Sequence, residues 1–184
     1  MFKLRIVLLA SGSGSLAQAI FDAKLNLEIL ALISDKDSVA LRRAERAGVK
    51  AIFLPVETSR TEWDKKLFSE VSHLNPDIVV SVGFMRILNK EFVETFRTIN
   101  THPALLPNFP GAHAVADALA ANATETGTTV HWVDEGVDTG AIIEQVKVAI
   151  EPGDTEESLH ERIKIKEREL IVETLQKFID SGAR

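Results

Sequence analysis

Leu4-Arg5-Ile6-Val7-Leu8-Leu9-Ala10-Ser11-Gly12-Ser13-Gly14-Ser15 is the stretch that decides the fold. Leu4 to Ala10 is a short apolar run, the pattern of a strand buried on both faces. Ser11 to Ser15 is a Gly/Ser turn, and Leu16 to Lys24 follows with helical spacing of Leu16, Ile20 and Ala23. Backbone N–H groups of such a turn, together with the helix N-terminus behind it, can face an anion. Gly12 and Gly14 let the backbone approach a ligand closely. The run falls short of Gly-x-Gly-x-x-Gly because position 17 is alanine, a residue sometimes accepted at the third site. The end of the second strand, Ile33-Ser34-Asp35-Lys36-Asp37, could supply a ribose-binding acid. From these residues alone a dinucleotide site, a phosphate site and a plain turn all stay open.

The pattern repeats downstream. Leu27 to Ile33 reads as a second strand, and Val39 to Ala47 as a charged helix stopped by Gly48. Lys50 to Leu54 is a third strand, Thr61 to His73 a helix, and Asp77 to Val82 a fourth strand introduced by Pro76. Alternation of this kind implies a mostly parallel twisted sheet with helices on both faces. The second half changes character. A short strand from Arg97 to Thr101 leads into a Pro-containing loop ending at Gly111, then an alanine-rich helix from Ala112 to Ala121. Thr128 to Val133 and Ala141 to Ile150 read as two strands joined by an acidic turn, antiparallel additions at the sheet edge. Thr155 to Asp180 is one long amphipathic helix, with Thr155 and the acids from Glu157 to Glu161 suited to its N-terminus. No repeat or linker interrupts the chain, so residues 1–184 are expected to form one α/β domain.

Composition narrows the function classes. Lys and Arg number 21 against 27 Asp and Glu, a net charge of -6 that gives no footprint for nucleic acid or a membrane surface. The absence of cysteine excludes disulfides, thiolate metal sites and a thiol nucleophile. No apolar run approaches the ~20 residues that span a bilayer. Met1 to Ala10 superficially imitates a signal peptide, but it runs straight into the glycine loop and fits a buried strand better, so the cytoplasm is expected.

The chemistry is concentrated in Asn100-Thr101-His102-Pro103-Ala104-Leu105-Leu106-Pro107. Residues i and i+2 of a strand share a face, so Asn100 and His102 can converge on one substrate atom. The prolines hold the following loop out of helix. Val137-Asp138-Thr139-Gly140 offers a carboxylate in a turn between two strands. An amide donor, a proton carrier and an acid that orients it are the groups that acyl transfer to nitrogen requires. Taken singly, each of the three reads as a turn or surface residue.

Asn-x-His-Pro-x-Leu-Leu-Pro followed by Asp138-Thr139-Gly140 resembles the folate-dependent formyltransferase superfamily. Ser11 to Ser15 and Gly83-Phe84-Met85-Arg86-Ile87-Leu88 narrow the likeness to its phosphoribosylglycinamide formyltransferase branch, from about Ile6 to about Phe178. The resemblance implies a Rossmann-like formyltransferase fold with a ribonucleotide-binding half at 1–82, a folate-binding and catalytic half at 83–150, and a C-terminal helix at 155–180. It implies formyl transfer from 10-formyltetrahydrofolate, a co-substrate, to the amine of glycinamide ribonucleotide in purine synthesis. Asn100, His102 and Asp138 would then be catalytic, acting through a tetrahedral intermediate, with no metal and no acyl-enzyme. Gly12, Ser13, Gly14, Ser15, Leu16, Arg60 and Glu167 would meet the ribonucleotide. Met85, Arg86, Ile87, Leu88, Val133, Asp134 and Val137 would line the folate pocket. His113, His131 and Thr129 would support the reacting centre, and a homodimer is compatible with the likeness.

Two departures stand out: Leu16 where the family usually has asparagine, and Arg168 where it commonly has histidine after the glutamate. Without the resemblance, Arg60 reads as a solvated loop cation, and Glu167 could equally pair with Lys166 or Arg168 on its helix. Formyl transfer to methionyl-tRNA would call for an extra RNA-binding domain and a basic surface, an expectation that 184 residues and a net charge of -6 do not favour. A deformylase would keep the three polar residues without needing a phosphate loop. A sugar-nucleotide formyltransferase would share them as well. A non-catalytic nucleotide-binding module would have no use for all three.

Overall fold

The computed structural model describes residues 3–56 and 59–182. Six helices and seven strands alternate along those residues. They run β1 (Leu4–Leu9), α1 (Ser15–Asp22), β2 (Leu27–Ser34), α2 (Val39–Arg46), β3 (Ala51–Phe53), α3 (Arg60–Leu74) and β4 (Ile78–Ser81). The second half adds α4 (Lys90–Thr95), β5 (Thr98–His102), α5 (Ala114–Ala120), β6 (Glu125–Trp132), β7 (Ile142–Ala149) and α6 (Glu156–Ser181). The strands form one sheet in the order β3-β2-β1-β4-β5-β6-β7. β1 to β5 are parallel, and β6 and β7 join antiparallel. The α/β class and the antiparallel edge expected from the sequence are both present.

The doubly apolar first strand has the consequence that alternation demands. Leu4, Ile6, Leu8 and Ala10 enter a core with Leu16, Ala17, Ile20 and Leu41 and with Leu170, Ile171 and Leu175 of α6. Val7 and Leu9 point the other way, into a core with Trp63, Leu67, Val71, Phe84 and Phe92. α1, α2 and α6 therefore cover one face of the sheet, and α3 and α4 the other. A third cluster of Val115, Val148, Leu159 and Ile163 seats α5 against β7 and α6.

Helix starts follow side-chain chemistry. Ser59 caps α3 by accepting from Glu62 N–H at 3.1 Å, and Thr155 with Ser158 forms a reciprocal capping box on α6. Three sequence expectations need correction. α4 has no counterpart among the expected elements, although Asn89 caps it by accepting from Phe92 N–H at 2.9 Å; its six residues are too few for an apolar period. β6 begins at Glu125, not Thr128, because pairing with β7 extends to Glu125↔Ala149. β5 runs one residue further than expected, so His102 ends the strand and does not open the loop.

In this strand order, β1 and β4 are the neighbours from which successive connections run to opposite sides of the sheet. Ligands of open α/β sheets bind outside the carboxyl ends of strands at such a switch point. The carboxyl end of β1 leads into Ser11–Ser15, that of β4 into Val82–Leu88, and β5 ends on His102. All three open on one side.

Candidate active site

A cavity of about 690 Å³ lies across those strand ends. At the β1 end it is lined by Ser11 to Leu16, together with Lys164 and Glu167 of α6. The first helical bond of α1 runs from Gln18 N–H to the Gly14 carbonyl at 2.9 Å, so the N–H groups before Gln18 are left without helical acceptors. Gly14 takes φ +70 at the helix start, and a Cβ there would lie 2.7 Å from both Cα and Cβ of Ala40. Only glycine satisfies both the left-handed backbone and the contact with α2. The Gly12 carbonyl accepts from Ala40 N–H, and Arg43 Nε donates to the Ser13 carbonyl at 2.9 Å, so α2 braces the loop from behind.

Leu16 is 8% exposed, lines the cavity and also packs in the α1 core. An asparagine there would give up that packing. Glu167 is 6% exposed, and burial pushes its carboxyl up to about 7 against the opposing charges of Lys164 and Arg168. Its neighbour Lys166 pairs with Glu169 at 2.8 Å instead. No sequence motif marks Lys164, which shares the helix face of Glu167 three residues on and pairs with the exposed Glu161 at 2.7 Å. Arg60 does not line this cavity: at the start of α3 it binds Asp64 at 2.8 Å, reaches the Ile87 carbonyl and lies over the Trp63 ring.

The middle of the cavity is apolar. Met85 and Ile87, 66% and 58% exposed, stand in its wall with Leu88, Val133 and Val137. The wall's backbone is fixed from below, since Ser11 Oγ accepts from Met85 N–H at 2.9 Å and Ser11 N–H donates to the Gly83 carbonyl at 3.0 Å. Arg86, also part of the wall, ties its side chain to the buried Asp35 at 2.7 Å. Opposite, Asp134 accepts from Gly136 N–H at 3.0 Å and from Thr139 Oγ1 at 2.6 Å, which closes the turn that presents Asp138.

The reacting end is built of side chains. Asn100, His102, His131 and Asp138 all line the cavity. His102 is 4% exposed; its Nε2 is 2.8 Å from the Phe109 carbonyl and its Nδ1 is 3.3 Å from Asp138 Oδ2. His131 places Nδ1 2.8 Å from the Trp132 carbonyl and Nε2 3.5 Å from Asp138 Oδ1. A carbonyl can only accept, so each ring commits a proton to its carbonyl and turns its other nitrogen to Asp138. A further proton on either ring would sit on the nitrogen that faces the carboxylate. Burial works to raise the Asp138 carboxyl, but the His131 contact, the Gly111 N–H at 2.8 Å and the charge on His102 outweigh it and hold the group below the usual carboxylate range.

Thr129 sits behind this centre. Its hydroxyl donates to the Ala104 carbonyl at 2.6 Å and accepts from Leu106 N–H at 3.2 Å, while Gln145 donates to both Thr129 Oγ1 and the Leu106 carbonyl. The pair pins the loop after His102, and Gln145 went unread because strand alternation alone does not say which loop an inward amide will meet. His113 is exposed at the start of α5 and does not line the cavity. Among the described residues no cluster of His, Asp and Glu is set to hold a metal ion, and no helix is long and apolar enough to cross a membrane.

An anion-suited backbone loop, an apolar slot and a protonatable group thus follow one another along one cavity. Known proteins carry the same arrangement of chain. A formyl transferase family model matches residues 4–175. The chain is 47% identical to a phosphoribosylglycinamide formyltransferase of Mycobacterium tuberculosis, covering 91% of this chain and 81% of that one. It is 38% identical to the enzyme of that name from Escherichia coli, covering 96% and 88%. The crystal structure of glycinamide ribonucleotide transformylase 1 from Symbiobacterium toebii superposes with a TM-score of 0.93 at 37% identity, covering 97% and 89%. The chain belongs to the formyl transferase family.

Proposed function

We propose that this chain transfers the formyl group of 10-formyltetrahydrofolate to the amine of glycinamide ribonucleotide. The observation that carries the reading is the single cavity joining the Ser11–Ser15 loop to Asn100, His102 and Asp138. The ribonucleotide phosphate takes the N–H groups of residues 13–15, with Lys164 as its counter-charge. Glu167 takes the ribose hydroxyls. The folate ring enters between Met85, Ile87 and Leu88 on one side and the 133–138 turn on the other, and the exposed apolar side chains there give a flat ring its contact.

The two reactive groups then meet beside Asn100. As the amine adds to the formyl carbon, negative charge collects on the formyl oxygen. Asn100 Nδ2–H and the Nε2–H of His102, which turns from the Phe109 carbonyl, donate to that oxygen. Removing one such preorganised donor typically costs ~10²–10³-fold in rate. Asp138 stabilises the imidazolium and carries the proton from the attacking nitrogen towards the departing folate nitrogen. The carbon–nitrogen bond to the folate breaks, leaving tetrahydrofolate and the formylated amide. In this reading residues 1–82 supply the phosphate end, 83–150 the folate wall and reacting centre, and 155–180 the helix that closes the ribose side. Cytoplasmic purine synthesis is its setting, and a homodimer is its assembly, which sedimentation would check.

Incubation with both substrates is the direct test. Tetrahydrofolate should form only when glycinamide ribonucleotide is present. Equal release of tetrahydrofolate without the ribonucleotide would replace transfer by deformylation.

A further inference from the structure

Three residues on three adjacent strands form a row across the sheet beneath the reacting centre. Ser81 of β4 is the register partner of Asn100 on β5, and Asn100 is the register partner of His131 on β6. Side chains at paired positions of neighbouring strands stand side by side on one face. Here they are also joined: Ser81 Oγ donates to Asn100 Oδ1 at 2.7 Å, and Asn100 Nδ2 lies 3.2 Å from His131 Nε2. His131 in turn has Nδ1 on the Trp132 carbonyl, so in the neutral ring Nε2 is an acceptor.

We infer that Ser81 is a positioning residue for Asn100, fixing which end of the amide faces the reacting oxygen. The inference rests on the formyl-transfer reading, in which Asn100 must present an N–H and not its carbonyl. An asparagine amide can turn over about its last bond at little cost, and the turned form would aim an acceptor at a developing oxyanion. In the observed arrangement the oxygen is taken by the serine hydroxyl and one N–H by His131. One amide proton is left for the cavity. In the neutral ring, with Nε2 unprotonated, His131 rejects the turned form, because it would set two lone pairs against each other. Ser81 completes the hold, because without it Oδ1 loses its donor in a site where Ser81 itself is only 5% exposed. A donor held by two partners arrives at the transition state already oriented.

The test uses Ser81→Ala, which keeps the strand and removes only the hydroxyl. With both substrates saturating, the single-turnover rate should fall about 3- to 10-fold, the equivalent of one ordinary hydrogen bond, while both KM values stay as they were. On an Asn100→Ala background the same change should cost nothing further. A full single-turnover rate in Ser81→Ala, a change confined to KM, or an equal loss on both backgrounds would overturn the inference. The side-chain amide resonances of Asn100, identified by their loss in Asn100→Ala, give a readout independent of turnover. They should shift or broaden in Ser81→Ala, and unchanged resonances would overturn the positioning role whatever the protein catalyses. A parent protein that forms no tetrahydrofolate with the ribonucleotide, yet shows the resonance change, would instead sink the formyl-transfer reading and leave the Ser81–Asn100 coupling standing.

Discussion

At the β1 end of the cavity the groups facing a ligand are mainly backbone N–H groups, held by a glycine that fits against Ala40 and by Arg43 behind the loop. At the β5 end they are side chains whose protons are placed by the carbonyls of Phe109 and Trp132. The contrast teaches what each end tolerates. A backbone-built subsite is indifferent to most side chains but not to an added Cβ. A side-chain-built centre is the reverse, because the strands carrying it survive substitutions that destroy the proton arrangement. Leu16 illustrates the first case: it stands where the family usually has asparagine and contributes packing, while the N–H groups around it stay in place.

The sharpest way to break the comparison is at the reacting end. Replacing His102 with alanine should lower turnover by ~10²–10⁴-fold, the range for a positioned proton-transfer group, with the fold retained. Asp138→Asn should fall into the same range. It keeps the turn, since asparagine tolerates the φ of 55 at this position and can still accept from Gly111 N–H. The sign of the pH effect follows from the direction of the shift. Asp138 is held below its ordinary value, so its contribution to stability is present above that value and is lost only as pH falls through the lowered one. The parent should therefore keep this interaction into mildly acidic solution. Steady-state rates of both variants, with melting curves alongside, decide the matter; near-parental turnover in either would remove that residue from the chemistry.

How far the sequence carries to these sites differs between the two ends for a physical reason. The strand-turn-helix at Leu4–Ser15 is local, and a buried strand running into glycines is readable from composition and spacing. Asn100 and His102 are two apart on one strand, so their convergence was also legible. His131 and Ser81 lie on neighbouring strands, and their place beside Asn100 depends on register across β4, β5 and β6, which no local pattern encodes. Arg60 is the converse case: the resemblance alone points it at the ribonucleotide, while in the structure it opens α3, pairs with Asp64 and reaches the carbonyl of Ile87, a residue of the cavity wall.

The backbone-built end is broken by Gly14→Ala. A non-glycine residue in the left-handed region costs ~1–2 kcal/mol, and the new Cβ at 2.7 Å from Ala40 adds overpacking against α2. Together these should remove roughly 2–5 kcal/mol of stability or move the loop. Either way the ribonucleotide should bind more weakly while folate affinity holds. Titration of each substrate separately checks this. Equal weakening of both would show that the two ends are not independent.

The smallest effect sharpens the comparison at the one place where the backbone end relies on a buried ionisable side chain. Glu167 is buried beside Lys164 and Arg168, and its carboxyl is pushed up to about 7 by burial. An acid raised in the folded state binds its proton more tightly there than in the unfolded chain. Its favourable contribution is complete below the ordinary value of 4.5 and is lost as pH rises through about 7. Over that interval as much as about 3 kcal/mol of native stability disappears on this account. Glu167→Gln removes the charge, so it should match the parent at pH 5 and exceed it by about 1–3 kcal/mol at pH 8. The functional sign is opposite. The amide changes the hydrogen bonds available to a ribose, so ribonucleotide affinity should fall as stability rises, the trade expected where a strained group serves binding. Denaturant unfolding at the two pH values separates the two accounts. A variant that gains nothing at pH 8 would mean that Lys164 and Arg168 already compensate the charge, and the phosphate end would then hold its ion-pairing capacity in reserve for the carboxylate rather than for the ligand.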